Sequence, residues 1–478
     1  LSDVSNLMMM MMMMIKIIII IIFIMNGLFI FHRDFRIIDN LILIKLNELC
    51  DNIYTVFIFT PEQVTKKNIF KSDNAIQFMI QSLQELENDI KLKGGKLLII
   101  YGNSKNEIRK LIEKLDIKVI GTNKDFTPFA KKRDKDYLDL CNHMKIDYIS
   151  LNDYYLYEPG TINVISTGKA YTKYTPFYNK VSKIGFPKPK NYIKINFSKS
   201  NHSNYSLETA KKELIDINED ILVYGSRKIA LKILSNIKHF NNYGKDRNSL
   251  DYNTTTLSAY IKFGCVSVRE VAEKFENNEP LFKQLIWREF YMQILNDYPY
   301  VLSGPLKPQY KGISWSRSKK NLDAWKNAET GFPIVDACMR EMNTTGYMHN
   351  RGRLIVASFL IKTLLINWSE GELYFATMLT DYDPASNNGN WQWVASTGAD
   401  SQPYFRIFNP WSQSEEHDPE CIFIKKWIPE LKNVDNKVIH KWYEYYKEYL
   451  DNGVNYFKPI VDYKLQREKA LEMYKKAL

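Results

Sequence analysis

The sequence predicts an α/β domain built on a Rossmann-like parallel sheet, joined by a long linker to a larger all-α domain. Three observations lead there. From Gly27 to about Asp153 short β-rich runs alternate with helical stretches, the pattern of parallel strands connected by crossover helices. Tyr157 to Ser206 is then rich in Pro, Gly, Lys, Asn and Ser, and beyond Leu207 helical patterning with turn punctuation takes over. A chain of 478 residues is also too long for one hydrophobic core, so two or three domains are expected.

The elements follow in order. Strands are expected at Leu28–Phe31, Tyr54–Phe59, Lys96–Tyr101, Lys118–Gly121 and Ile146–Leu151, each an apolar run of strand length. Helical patterns lie between them over Ser72–Lys93 and Asn106–Leu115. No GxGxxG or Walker sequence follows the first strand, which argues against an ordinary dinucleotide or nucleoside triphosphate site there. The division is therefore an α/β domain over 25–156, a linker crossing the surface over 157–206, and a helical domain over 207–478. Within the last, Ser267 and Glu270 have the spacing of a capping box, and Pro333 stands at a first helical turn. Met8 to Met25 is apolar except for Lys16, a length that approaches a membrane span or a signal-peptide core.

Charged residues at 25% and hydrophobic residues at 45% are ordinary globular composition, so neither a disordered nor a fibrous chain is indicated. The net charge of +11 fits a polyanionic partner, although a Lys-rich surface alone is more often just a solvated one. Cys50, Cys141, Cys265, Cys338 and Cys421 are odd in number, widely spread and without a CxxC pair. Neither a disulfide framework nor a zinc site is indicated, no metal is expected, and a reducing, intracellular compartment is the default.

Asp381 to Pro410, DYDPASNNGNWQWVASTGADSQPYFRIFNP, departs from any ordinary core helix. An apolar stripe should recur every three or four residues, whereas here polar amides sit beside large π-systems, a composition suited to holding a planar heterocycle and stacking bases. Upstream, NTTTLS ending at Ser258 gathers hydroxyls at a helix start, which suits a pyrophosphate but is more often a simple cap. In MHNRGR, Asn350 and Arg353 are three apart and share one helical face.

The Asp381–Pro410 segment closely resembles the flavin-binding signature of the class I DNA photolyase and cryptochrome family. The resemblance continues through HRDFRIIDN (His32–Asn40), LIWREFY (Leu285–Tyr291), GFPIVDACMR (Gly331–Arg340) and YMHNRGRLIVASF (Tyr347–Phe359). It implies that the helical domain binds FAD, active in its reduced anionic form. Tyr243, Thr254, Thr255 and Ser258 would hold the phosphates, with Thr256 replacing an arginine found in many bacterial members. Asn350 would line the flavin, Arg353 would pair with Asp381 beside the isoalloxazine, Asp383 would contact the same ring, and Asn387 would face its redox-active nitrogen. A second, antenna chromophore in the α/β domain is expected without an identity. Met25 opens MNGLFIFHRDFRI, where family members begin. Residues 1–24 are accordingly expected to be a low-complexity apolar extension upstream of the mature fold or a misassigned start, and not an anchor.

The same resemblance implies UV-damaged DNA as partner, with no obligate protein partner and a monomeric state. Trp287 and Trp393 match two walls that stack on a flipped-out lesion, and Asn350, Arg351 and Arg406 match contacts to the lesion and its backbone. Gln284 stands where cyclobutane-dimer enzymes usually carry a glutamate and (6-4) enzymes a glutamine. The (6-4) branch, however, places two histidines where this chain has Asn350 and Leu354, so the cyclobutane dimer is the expected lesion; His349 is expected to be structural. Trp391, Trp368 and Trp315 match an electron-supply chain. The reaction implied is light-driven electron transfer from reduced FAD to the dimer. The alternatives are a cryptochrome-type photoreceptor without repair, a (6-4) photolyase, and a cofactor-free helical nucleic-acid-binding protein that would explain the charge but not the matched blocks.

Overall fold

Five strands form one parallel sheet in the order β3-β2-β1-β4-β5. The computed structural model describes residues 24–477, so all but Ile24 of the expected N-terminal extension lies outside it. The strands are β1 (Asn26–Phe31), β2 (Asn52–Phe59), β3 (Leu97–Tyr101), β4 (Ile117–Lys124) and β5 (Asp147–Asn152), matching the five expected runs. Four helices cross between them: α1 (Leu41–Leu49), α2 (Asp73–Leu92), α3 (Ser104–Leu115) and α4 (Pro128–Met144). Side chains of a strand alternate between faces, and this alternation sorts the core. Leu28, Ile30, Val56, Ile58, Leu98 and Ile100 pack with Ile108, Leu111, Ile112 and Leu140 of α3 and α4. Phe29, Phe31, Phe57, Phe59 and Ile99 face the other way, and their cluster runs on without interruption into Tyr260, Phe263, Leu285 and Phe290 of the helical domain. One face of the sheet is thus the floor on which the helical domain rests.

The segment expected to cross the surface between domains is more structured than its composition suggests. It contains helix α5 (Tyr174–Ile184), and Tyr157, Tyr174, Phe177, Val181 and Ile195 are buried in the shared core. Its exposed residues are largely polar, and sparse aromatic and aliphatic anchors fix it to the core. Beyond it come α6 (Ser258–Lys262), α7 (Val268–Phe275), α8 (Glu279–Asp297), α9 (Pro333–Thr345), α10 (Asn350–Ser358), α11 (Trp368–Met378) and α12 (Pro384–Val394). The Ser267–Glu270 capping box forms at the start of α7, and Pro333 opens α9. A single π-helical turn, Phe359–Thr363, continues α10. Among the described residues no helix is long and apolar enough to cross a membrane.

Four fully buried charges join the domains. Arg36, Asp39 and Asp153 come from the α/β side, and Arg269 from α7; all are at most 3% exposed. Arg269 places Nε 2.9 Å from Asp39 Oδ2 and Nη2 2.6 Å from Asp153 Oδ1, while Arg36 pairs with Asp153 from the other side. Burial works to raise the Asp153 carboxyl, but Arg36 and Arg269 together hold it below its ordinary value. Removing one member strands its buried partners without countercharge. Arg269→Ala is expected to lower the unfolding free energy by about 3–5 kcal/mol, read by denaturant titration; a loss within experimental scatter of zero would show that the cluster contributes nothing to the join.

Candidate functional site

Three helices of the second domain present one face each to a common cavity of about 500 Å³. From α8 come Leu281, Gln284, Leu285, Arg288 and Tyr291; from α10 Asn350, Arg353, Leu354 and Ala357; from α12 Asn387, Asn390, Trp391 and Val394. Each set recurs at three- and four-residue spacing, so each is one helical face. That accounts for the missing apolar stripe in the Asp381–Pro410 segment, because the face turned inward borders a cavity that needs polar groups. The opposite face of α12 is buried as well. There Asn388 and Gln392 donate to the Val301 carbonyl at 3.0 and 2.9 Å, so the helix has polar contacts on both faces.

The structure gathers most of the expected site residues around this space. Tyr243, Thr254, Thr255, Ser258, Gln284, Trp287, Asn350, Arg353, Leu354, Asp381, Asp383, Asn387, Trp391 and Trp393 all line it. Arg353 is anchored by Nε donating to the Met348 carbonyl at 2.8 Å, and its Nη2 reaches both Asp381 oxygens at 3.1 and 3.0 Å. Burial pushes the Asp381 carboxyl up, but Arg353, the Ser258 hydroxyl and Lys262 outweigh it and keep the group ionised. Asp383 caps α12 by accepting from Ser386 N at 3.0 Å. Asn387 donates through Nδ2 to the Glu372 carbonyl at 3.0 Å and to Glu372 Oε1 at 3.3 Å. Gln284 is turned along its own helix, Nε2 donating to the Pro280 carbonyl at 3.3 Å. His349 caps α10, its Nδ1 accepting from Arg351 N; burial first, then Arg353 and Arg351, push its pKa down to about 4.

Arg351 and Arg406 do not line the cavity. Arg351 donates to Asn248 Oδ1 at 2.8 Å, and Arg406 is exposed on the loop whose backbone carbonyl accepts from buried Lys362 at 3.0 Å. They still belong together. Burial holds the Arg351 guanidinium below its ordinary value against the pull of Glu416, and the nearby charges of Arg247 and Arg406 lower it further. Such a concentration of positive charge suits phosphate groups.

Trp391 is 3% exposed and stands against Gly371, where a Cβ would come within 2.1 Å of its ring; no larger residue fits there. Trp368, 5% exposed, opens α11 one turn before Gly371. Trp315 is half-buried, and its neighbour Ser316 donates through N to the Leu365 carbonyl at 2.7 Å, just ahead of Trp368. The three indoles thus stand on adjoining segments, with burial falling from Trp391 through Trp368 to Trp315.

Several residues escaped the sequence reading. Tyr174 stacks on Trp287 with centroids 3.8 Å apart and planes 3° from parallel, backing one face of the indole; it lies in the segment taken for a linker. Lys262 lines the cavity one turn after Ser258, and burial pushes its amine down to about 8 against the pull of Asp383 and Asp381. Its spacing from Ser258 was a usable signal. Glu372 had none, because its relation to Asn387 exists only through packing of α11 on α12.

The donor set fits a flavin dinucleotide. Hydroxyls of Thr254, Thr255 and Ser258 gather with Tyr243 and Arg247 along the lining in a set whose donors suit phosphates, and Asp381, Arg353 and Asn387 offer the mixed donors and acceptors that a heterocycle's edge requires. Leu257, Phe375, Leu379 and Trp391 supply the apolar walls.

Comparisons with known proteins agree with this reading. Residues 28–192 match the family model described as DNA photolyase, and residues 281–476 that described as the FAD binding domain of DNA photolyase. A deoxyribodipyrimidine photo-lyase of Alkalihalophilus pseudofirmus is 33% identical over 93% of this chain and 97% of its own length. One from Buchnera aphidicola of Acyrthosiphon pisum is 35% identical over 94% and 96%. The solved structure of an archaeal photolyase from Sulfolobus tokodaii, described with two FAD molecules and an implied novel light-harvesting cofactor, superimposes with a TM-score of 0.86 at 36% identity, covering 95% of this chain and all of that one. A Synechocystis cryptochrome gives 0.84 at 25% identity, covering 94% and 99%.

Glu372 provides a test independent of any ligand. Burial raises its carboxyl to about 7, with the Asn387 amide opposing. A carboxyl whose folded pKa is raised makes stability fall as pH climbs from its unfolded value towards about 7. Glu372→Gln removes that term, so the variant's melting temperature should drop less than the parent's between acidic and mildly alkaline pH. Parallel melting curves would show instead that Glu372 is ionised throughout.

Proposed function

Because the chain belongs to the DNA photolyase family, we propose that it is a deoxyribodipyrimidine photo-lyase, which uses light to repair cyclobutane pyrimidine dimers in DNA. The observation that carries the reading is the single cavity that unites a phosphate-binding end, the Arg353–Asp381 pair, Asn387 and two tryptophan faces. FAD, when bound in reduced form, supplies an electron on excitation by blue or near-ultraviolet light. The protein's own groups do the rest. Tyr243, Thr254, Thr255 and Ser258 bind the phosphates; Arg353 and Asp381, held ionised by each other, orient the ring system; Asn350 and Asp383 line it; and Asn387 presents an amide whose donor direction is set by Glu372.

On the substrate side, Trp287 and Trp393 stack on a flipped-out dinucleotide and exclude water from it, and Gln284 swings from Pro280 to donate to a pyrimidine carbonyl. Arg351 and Arg406 take the flanking phosphates. His349 is neutral, with Nδ1 engaged in capping, and so has no imidazolium proton to give, and Asn350 and Leu354 bring no imidazole; this favours the cyclobutane dimer over the (6-4) product. Trp391, Trp368 and Trp315 relay electrons from the surface. The reading keeps the division into 25–156, 157–206 and 207–478, an antenna chromophore of open identity in the first, and a monomer acting inside the cell on UV-damaged DNA without metal or obligate protein partner.

Protein purified with FAD is expected to split cyclobutane dimers in light and to leave (6-4) products intact, measured on defined lesion oligonucleotides. Bound FAD without repair of either lesion would turn the assignment towards a cryptochrome-type photoreceptor. Trp287→Ala should weaken lesion binding by about 1–3 kcal/mol, and Gln284→Glu should raise the yield of dimer splitting. Trp391→Phe should greatly slow photoreduction while chemically reduced enzyme still repairs; equal photoreduction in parent and variant would exclude the tryptophan route.

A further inference from the structure

Behind the cavity wall, Arg33 reaches from the α/β domain to Asp383. It follows β1 by two residues, and Asp125 follows β4 directly, so both sit at the carboxyl ends of the two strands where the sheet order reverses. Arg33 Nη1 donates to Asp383 Oδ2 at 3.2 Å, across 350 positions of sequence. Its Nη2 donates to Asp125 Oδ1 at 3.0 Å and to the Tyr155 hydroxyl at 2.9 Å, and Nε lies 2.9 Å from Asp125 Oδ2. The guanidinium also lies over the Tyr154 ring at 4.7 Å. The backbone is clamped as well. Gly264, at φ +61°, lies so close that a Cβ would stand 2.4 Å from the Arg33 carbonyl, and Phe35 N donates to the Phe263 carbonyl at 3.1 Å.

We propose that Arg33 is a positioning residue of the cofactor site, through which the α/β domain fixes the Asp383 carboxylate in place and in charge. This rests on the reading that Asp383 borders bound FAD. Asp383 is 9% exposed, and burial alone would favour its neutral form; Arg33 is the strongest opposing influence, ahead of Arg288 on α8 and the Ser386 amide. Lys262 on α6, Asp381, Tyr155 and Tyr382 are the other titratable groups around it. Arg33 alone among the cations makes a hydrogen bond to the carboxylate among the described residues. Without that bond, negative charge entering the cavity on reduction should draw a proton from water onto Asp383; with it, the carboxylate stays ionised in both redox states.

The test is electrochemical titration of FAD-loaded protein, without DNA, at a series of pH values on either side of neutrality. Arg33→Met should take up one further proton per reduction over part of that range, Arg33→Met with Asp383→Asn should return to the parental proton count, and Arg33→Lys should keep it. A purely structural Arg33 would change affinity or melting temperature without changing the proton count, and an unchanged count in Arg33→Met overturns the proposal. Should Arg33→Met not retain FAD, carbon NMR of the Asp383 carboxyl in cofactor-free protein decides. It should then titrate at higher pH than in the parent, and equal titration overturns the proposal. A parent that binds no FAD would instead remove the functional reading, and the carboxyl titration would still judge Arg33.

Discussion

The buried charges at the domain join are the constraint on which the other arrangements depend. Arg36, Asp39, Asp153 and Arg269 have no solvent to satisfy them, so each is tolerable only while the other three hold their places. An apolar interface could slide by a fraction of a side chain at little cost. Four charges with directional hydrogen bonds cannot. The helical domain is thereby held in register on the aromatic face of the sheet, and Arg33 arrives within reach of Asp383 as a result.

The cavity follows from a different compromise. Helices that enclose a ligand must give one face to polar contacts while still burying the rest, and α12 does this by hydrogen-bonding Asn388 and Gln392 to backbone carbonyls on its far side. Polar side chains thus occupy both faces, one for structure and one for the site. Gly371 and Gly389 complete the fit, the former against Trp391 and the latter against Tyr291, where a Cβ would come within 2.1 Å of either ring. Trp391 and Tyr291, both on the cavity wall, are therefore held by close backbone approach, which leaves them little freedom to turn.

The charges in and around the cavity are balanced by pairing more than by solvent. Asp381 answers to Arg353, Asp383 to Arg33, and Glu372 is left to be neutralised by burial with only an amide beside it. Two ionised carboxylates on the cavity lining and a third, raised to about 7, behind Asn387 are each set by their own neighbours. Apart from these pairs, Arg351 and Arg406 stand outside the cavity and Arg247 on its lining, close enough for the charges of Arg247 and Arg406 to act on Arg351.

Much was legible from the residues alone. The five strands, the capping box at Ser267, the proline start of α9 and the shared face of Asn350 and Arg353 are all consequences of local rules, periodicity and capping, that act within a few residues. The family blocks named most of the cavity's residues because each block is short and contiguous. Tertiary structure decided what local rules cannot reach. Tyr174 backs Trp287 across 113 positions (287 − 174), Arg33 meets Asp383 across 350, and Glu372 meets Asn387 only because α11 lies along α12. The interdomain segment shows the same limit, since its Pro and Lys content described its solvent face while a few buried aromatics determined its course. Sequence determined which chemical groups this protein carries and the elements that bear them. Which group stands beside which, and hence the charge each one holds, was decided by packing between elements, over separations in the chain that run from 15 to 350 residues.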